Sequence, residues 1–132
     1  MEMLRKFRKS EKGQAMVEFA LLLPVLLLLL CAIIDFGWLY FNQLLLNNAA
    51  REGARYAAIH YSTADELWRQ EAEQIMLDCT VSGETPTVQV VSVTPDVTAT
   101  AQADVPVLTG FTSIFLGPSK TLTATCTMKI EF

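Results

Sequence analysis

Apolar and polar positions along the chain fall into three regimes. In the first, Phe19 to Ile34, sixteen consecutive residues carry no charge and are mostly apolar, the pattern of a helix that is apolar all round and so of a membrane span. At about 1.5 Å per residue this stretch rises about 24 Å, short of a hydrocarbon core of about 30 Å. The residues FGWLYF, just after Asp35, extend it to Phe41 and put Trp38 and Tyr40 at the level of an aromatic belt. Asp35 then lies near the outer interface or pairs within an assembly. In the second regime, Asn42 to His60, the composition stays helical while Ala49, Ala50, Gly53, Ala54, Ala57 and Ala58 recur at three- and four-residue spacing. Such a smooth face lets another helix approach closely. Two partners fit it, the chain's own domain or a helix of another subunit. Arg51 and Arg55 share a different face, with Glu52 placed to pair with Arg55.

The third regime begins at Ser62 and Thr63, which interrupt the helix. Thr63-Ala-Asp-Glu66 reads as a capping box that starts a second, amphipathic helix, with Leu67, Trp68, Ala72, Ile75, Met76 and Cys79 on one stripe. Its polar face is acidic, which favours packing on a core over lying on a membrane surface. Thr87 to Val93 is a valine-rich strand whose phase slips between Val90 and Val91, so a bulge or burial on both faces is expected. After a turn at Thr94-Pro-Asp, Val97 to Val107 alternates apolar with polar, and Thr121 to Phe132 alternates again. The predicted fold is α+β: a long N-terminal transmembrane helix continuing outside the membrane, an amphipathic second helix and a three-stranded antiparallel sheet. The corresponding parts are residues 1–13 as a basic leader, 14–41 as the span, 42–60 as its extramembrane extension and 61–132 as a small exported domain. The segment from Leu108 to Ser119 is unusually apolar for a loop and is expected to tuck under the sheet or dock on a partner or the membrane surface.

Charge sharpens the topology. The net −4 divides into +3 over the first twelve residues and −7 after Gly13, a cationic tip on an acidic body. A basic tip ahead of an apolar span predicts a cytoplasmic N-terminus and an exported C-terminal domain. Clustered Lys and Arg are missing from the folded part, so nucleic acid is not an expected partner. Export permits disulfides. Cys79 on the apolar stripe of its helix and Cys126 on the buried face of its strand are expected to bridge, while Cys31 stays in the membrane. The chain holds a single histidine, His60, and no G-x-S-x-G, H-E-x-x-H or phosphate-cradling loop. No catalytic residue, metal ligand or cofactor is therefore assigned, and the expectation is a protein that is not an enzyme.

Glu18 is the anomaly in the first regime. A carboxylate in hydrocarbon costs at least about 2.5 kcal/mol unless paired, and Glu18 sits five residues after Gly13, itself just behind the basic patch. A glycine there offers a protease an extended, uncrowded backbone at the membrane face. Cleavage between Gly13 and Gln14 would keep the helix and create an amine able to pair with Glu18 of a neighbouring subunit. Signal peptidase and lipoprotein processing fit less well, since no small-x-small site follows Ile34 and Cys31 follows Leu30.

These residues resemble a known family. Gly13 followed by QAMVEF matches the type IV prepilin cleavage pattern in the G-x4-E-[FY] form of Flp pilins, with Glu18 and Phe19 as its assembly residues. The string GQAMVEFALLLPVLLLLL together with NNAAREGARYAA is similar to the TadE-like family, pilin-like membrane proteins of tight-adherence (Tad) pilus systems. Its helix-packing motif falls on Ala50, Glu52, Gly53, Ala54 and Arg55. The resemblance implies a minor pilin or pseudopilin cut by a prepilin peptidase, working with other pilin-like subunits and Tad assembly proteins in the inner membrane. An alternative is an unprocessed single-pass scaffold or binding module of the same machinery. An anchored enzyme is a distant third.

Overall fold

A computed structural model of the protein describes residues 11–62, 66–79, 86–110 and 112–130. Most of the basic leader, the Thr63–Asp65 part of the capping box, Phe111 and Phe132 lie outside the described residues. The element order is α1 (Glu11–His60), α2 (Leu67–Asp78), β1 (Thr87–Val93), β2 (Asp96–Pro106), a short α3 (Ser113–Leu116) and β3 (Ser119–Lys129). The α+β layout expected from the alternation is the one observed.

The first helix is a single element of 50 residues, about 75 Å long at about 1.5 Å per residue, and it contains Pro24. It is long and apolar enough to cross a membrane, and none of its most apolar window is buried inside the protein. Burial begins at Asp35 and becomes regular from Asn42 onward, so the domain is built on the C-terminal part of the helix.

The sheet runs in the order β1-β2-β3, antiparallel throughout. The alternation read in β2 holds, with Val97, Ala99, Ala101, Ala103 and Val105 buried and their neighbours turned outward. The alanines of β2 face the alanines of α1, and small side chains on both surfaces let the helix lie close on the sheet. In β1 the register runs unbroken from Thr87↔Gln102 to Val93↔Asp96, so there is neither the bulge nor the two-sided burial suggested by the phase slip. Val90 is buried and Val91 and Val93 point to solvent at 53% and 71% exposure. The stripe on α2 is narrower than read: Trp68, Ala72 and Met76 are buried, Ile75 and Cys79 are half-buried, and Leu67 is exposed.

The Cys79 to Cys126 bridge is not formed, and all three cysteines are free thiols. Both residues do pack against the core as their phase required. However, α2 packs on β1 and α1, whereas Cys126 sits on β3 at the opposite edge, paired with Ala99 of the intervening β2. The helix that carries Cys79 thus lies over the β1 edge of the sheet, two strands or about 9.5 Å across from β3, and a disulfide tolerates only about 7 Å between Cα atoms.

Candidate functional site

Sites on this molecule are strung along α1, and each part follows from what covers the helix at that level. From Gly13 to Ile34 nearly every side chain is bare: Phe19 is 61% exposed, Leu21 73% and Val25 64%. Gln14 and Glu18 lie one turn apart on the same face of this rod and line an open furrow with Val17, Leu21 and Leu22. Glu18 is exposed and accepts no hydrogen bond among the described residues. Gly13 is helical rather than extended, because α1 starts at Glu11. Glycine inside a helix costs about 1 kcal/mol relative to alanine, so the helix is locally weakened next to the Gly13–Gln14 bond.

The character changes at Asp35. Its side chain is only 1% exposed although it stands directly after the apolar run. Three donors satisfy it. The Thr109 backbone N–H donates to Oδ1 at 3.0 Å, and the Thr109 and Thr112 hydroxyls both donate to Oδ2. The loop between β2 and β3 is thereby clasped onto the helix, so part of the apolar loop is held by polar contacts. About two turns farther on, Asn42 donates to the Trp38 carbonyl at 2.9 Å and Gln43 donates to the Thr123 carbonyl of β3 at 3.1 Å. Trp38 is half-buried, while Phe36, Tyr40 and Phe41 are 61%, 68% and 50% exposed.

The small-residue face is occupied by the chain's own domain. Ala49, Ala50, Ala54, Ala57 and Ala58 are buried at 5% exposure or less, and they pack with α2 and the sheet. Gly53 marks the closest approach: a Cβ built there would stand 2.4 Å from both Cγ and Sδ of Met76. Of the five motif residues, Ala50, Gly53 and Ala54 therefore serve intrachain helix packing. Glu52 and Arg55 point to solvent without forming the ion pair read from their spacing. Near the end of α1, Tyr56 donates its hydroxyl to Glu71 of α2 and stacks on His60 with ring centroids 4.1 Å apart. The Glu71 hydrogen bond is the main cause of a raised Tyr56 pKa, with burial adding to it. Among the described residues no group of three His, Cys, Asp or Glu side chains is arranged to hold a metal ion.

Sequence reasoning missed Thr109 and Thr112 as partners of Asp35. The available signal was two hydroxyls at i, i+3 in a loop otherwise built from apolar and small residues, together with a carboxylate that needed donors.

No curated protein and no solved structure matches the chain. One family model does, over residues 13–55 of the 132, which takes in the bare anchor, the Asp35 level and the small-residue motif but none of the sheet. Over that segment, from the glycine at the proposed cleavage site to the arginine that ends the packing motif, the chain is similar to the family described as TadE-like protein.

Proposed function

We propose that this protein is a minor pilin or pseudopilin of a Tad-type pilus apparatus. The observation that carries the proposal is the division of one helix into two surfaces. Its C-terminal part is buried by the chain's own domain, whereas the stretch from Ala15 to Ile34 is largely bare, apolar and interrupted only by Glu18. A surface of that kind has two compatible environments, lipid before assembly and other apolar helices after it.

In this reading the basic tip stays on the cytoplasmic side of the inner membrane and the sheet domain is exported. A prepilin peptidase hydrolyses the Gly13–Gln14 bond. The new amine at Gln14 then pairs with Glu18 of an adjacent pilin-like subunit, offsetting the cost of holding that carboxylate in an apolar bundle. Phe19 and the leucines beyond it supply the helix contact. The exposed Arg51, Glu52 and Arg55 are left for assembly partners outside the membrane. No catalytic step, metal or cofactor is assigned. The chain is longer than the resemblance implies for the very short major Flp pilins, which favours a minor or priming role.

Shearing of cells followed by fractionation tests this against an unprocessed scaffold. A filament subunit is expected in the sheared fraction. Complete retention with the membranes, alongside release of the pilus itself, would leave the scaffold reading standing instead.

A further inference from the structure

We propose that the loop between β2 and β3 is a membrane-docking element, in which Leu108 and Ile114 enter the outer interfacial layer of the phospholipid bilayer that α1 crosses. The inference rests on α1 being a transmembrane helix.

Direction comes first. Gln43 reaches Thr123 of β3, and eight residues nearer the N-terminus Asp35 reaches Thr109 and Thr112. Going down the helix by about 12 Å therefore leads toward the Pro106/Ser119 end of the sheet and into the loop. This is the membrane-proximal end of the domain, and the Thr94–Pro95 turn lies at the other end of the strands.

Depth comes second. Glu18, exposed and without an acceptor bond among the described residues, marks the inner water boundary of a lone chain. A core of about 30 Å needs about 20 residues of helix beyond it, which places the outer boundary near Trp38. Any tilt requires more residues and moves that boundary farther out. Asp35 thus lies about 4–5 Å inside it, a position that an open carboxylate would resist. The clasp resolves the conflict, because three donors satisfy Asp35 and leave it 1% exposed. The exposed helix surface around it, Ile33, Ile34, Phe36 and Tyr40, remains apolar or aromatic.

The loop that supplies those donors must share this depth. Its composition suits it: residues 107–119 contain no Asp, Glu, Lys or Arg. It exposes Leu108 at 56% and Ile114 at 76%. Apolar side chains on an element held at the headgroup boundary bury about 5–10 Å into it.

Nitroxide depth measurement tests this on the full chain in phosphatidylcholine vesicles. A background with Cys31, Cys79 and Cys126 replaced by alanine receives single labels through Ile33→Cys, Leu108→Cys, Ile114→Cys or Gln89→Cys. All four sites are exposed, so the labels do not disturb the core. Oxygen is expected to relax the labels at 33, 108 and 114 more than a water-soluble nickel chelate does, with the reverse order at 89. Adding Asp35→Ala should shift the label at 114 toward water without moving the one at 33. A lipid-exposed label at 33 with water-exposed labels at 108 and 114 would overturn the docking inference and leave the anchor intact. A water-exposed label at 33 would overturn both.

Discussion

Gly53→Ala is expected to destabilise the protein although it improves a helix. In an unconstrained helix interior, replacing glycine by alanine gains about 1 kcal/mol. Here the added methyl would meet Met76 Cγ and Sδ at 2.4 Å, and Met76 is fully buried, with little room to withdraw. Overpacking of this kind costs about 1–3 kcal/mol, so the net effect is a loss of up to about 2 kcal/mol. For a domain of this size each kcal/mol lowers Tm by about 4–8 °C. The Met76→Ala background reverses the sign. Truncating Met76 alone should cost about 2–5 kcal/mol through the cavity it leaves. With the thioether gone, Gly53→Ala should recover about 1 kcal/mol from helix propensity, giving a coupling of about 1–3 kcal/mol between the two positions. Thermal and urea unfolding of the full chain in detergent micelles, followed by fluorescence of the buried Trp68, measures all four corners of the cycle. Equal effects of Gly53→Ala in both backgrounds would refute the idea that this glycine exists to admit Met76.

Asp35→Ala should leave the Thr109 and Thr112 donors without their acceptor, costing about 1–3 kcal/mol, and amide hydrogen exchange at Thr109 should speed up while exchange within β2 is unchanged. Tyr56 has a pKa raised above its ordinary 10.0 by its bond to Glu71, so its contribution is present below the unfolded value and lost as pH rises through the folded one. Urea unfolding across that range should show a falling stability that Tyr56→Phe flattens; identical slopes in the two proteins would contradict the assignment. Because the cysteines are free, denaturation without reductant followed by alkylation should label Cys31, Cys79 and Cys126 alike, and protection of Cys79 and Cys126 together would contradict the placement of α2 over β1, away from β3.

Where local periodicity decides structure, the chain was readable. Strand β1 begins at Thr87 and ends at Val93 as its composition indicated, and β2 buries the valines and alanines that alternation assigned to one face. Where the outcome depends on distant parts of the chain, it was not. Asp35 could be flagged as needing a partner, but its donors lie 74 and 77 residues away, and no local pattern reports which loop will return to it. Cys79 and Cys126 were each placed on the inward face, yet phase carries no information on which edge of the sheet a helix will cover, and α2 packs on β1 while Cys126 lies on β3 beyond β2. Val91 and Val93 show the converse limit: β-branched residues favour a strand on either face, so their identity did not reveal that both point outward. The small-residue face was recognised, while the choice between an intrachain partner and another subunit required seeing α2 and Met76 against it.

Pairing of Glu18 depends on processing at Gly13, because its proposed partner amine exists only after that bond is cut. Intact and N-terminal peptide mass spectrometry of the membrane-extracted protein, from cells with and without prepilin peptidase, measures this directly. A chain beginning at Gln14 is expected when the peptidase is active and one retaining the basic leader when it is absent. A leader-bearing chain in both would contradict the claim.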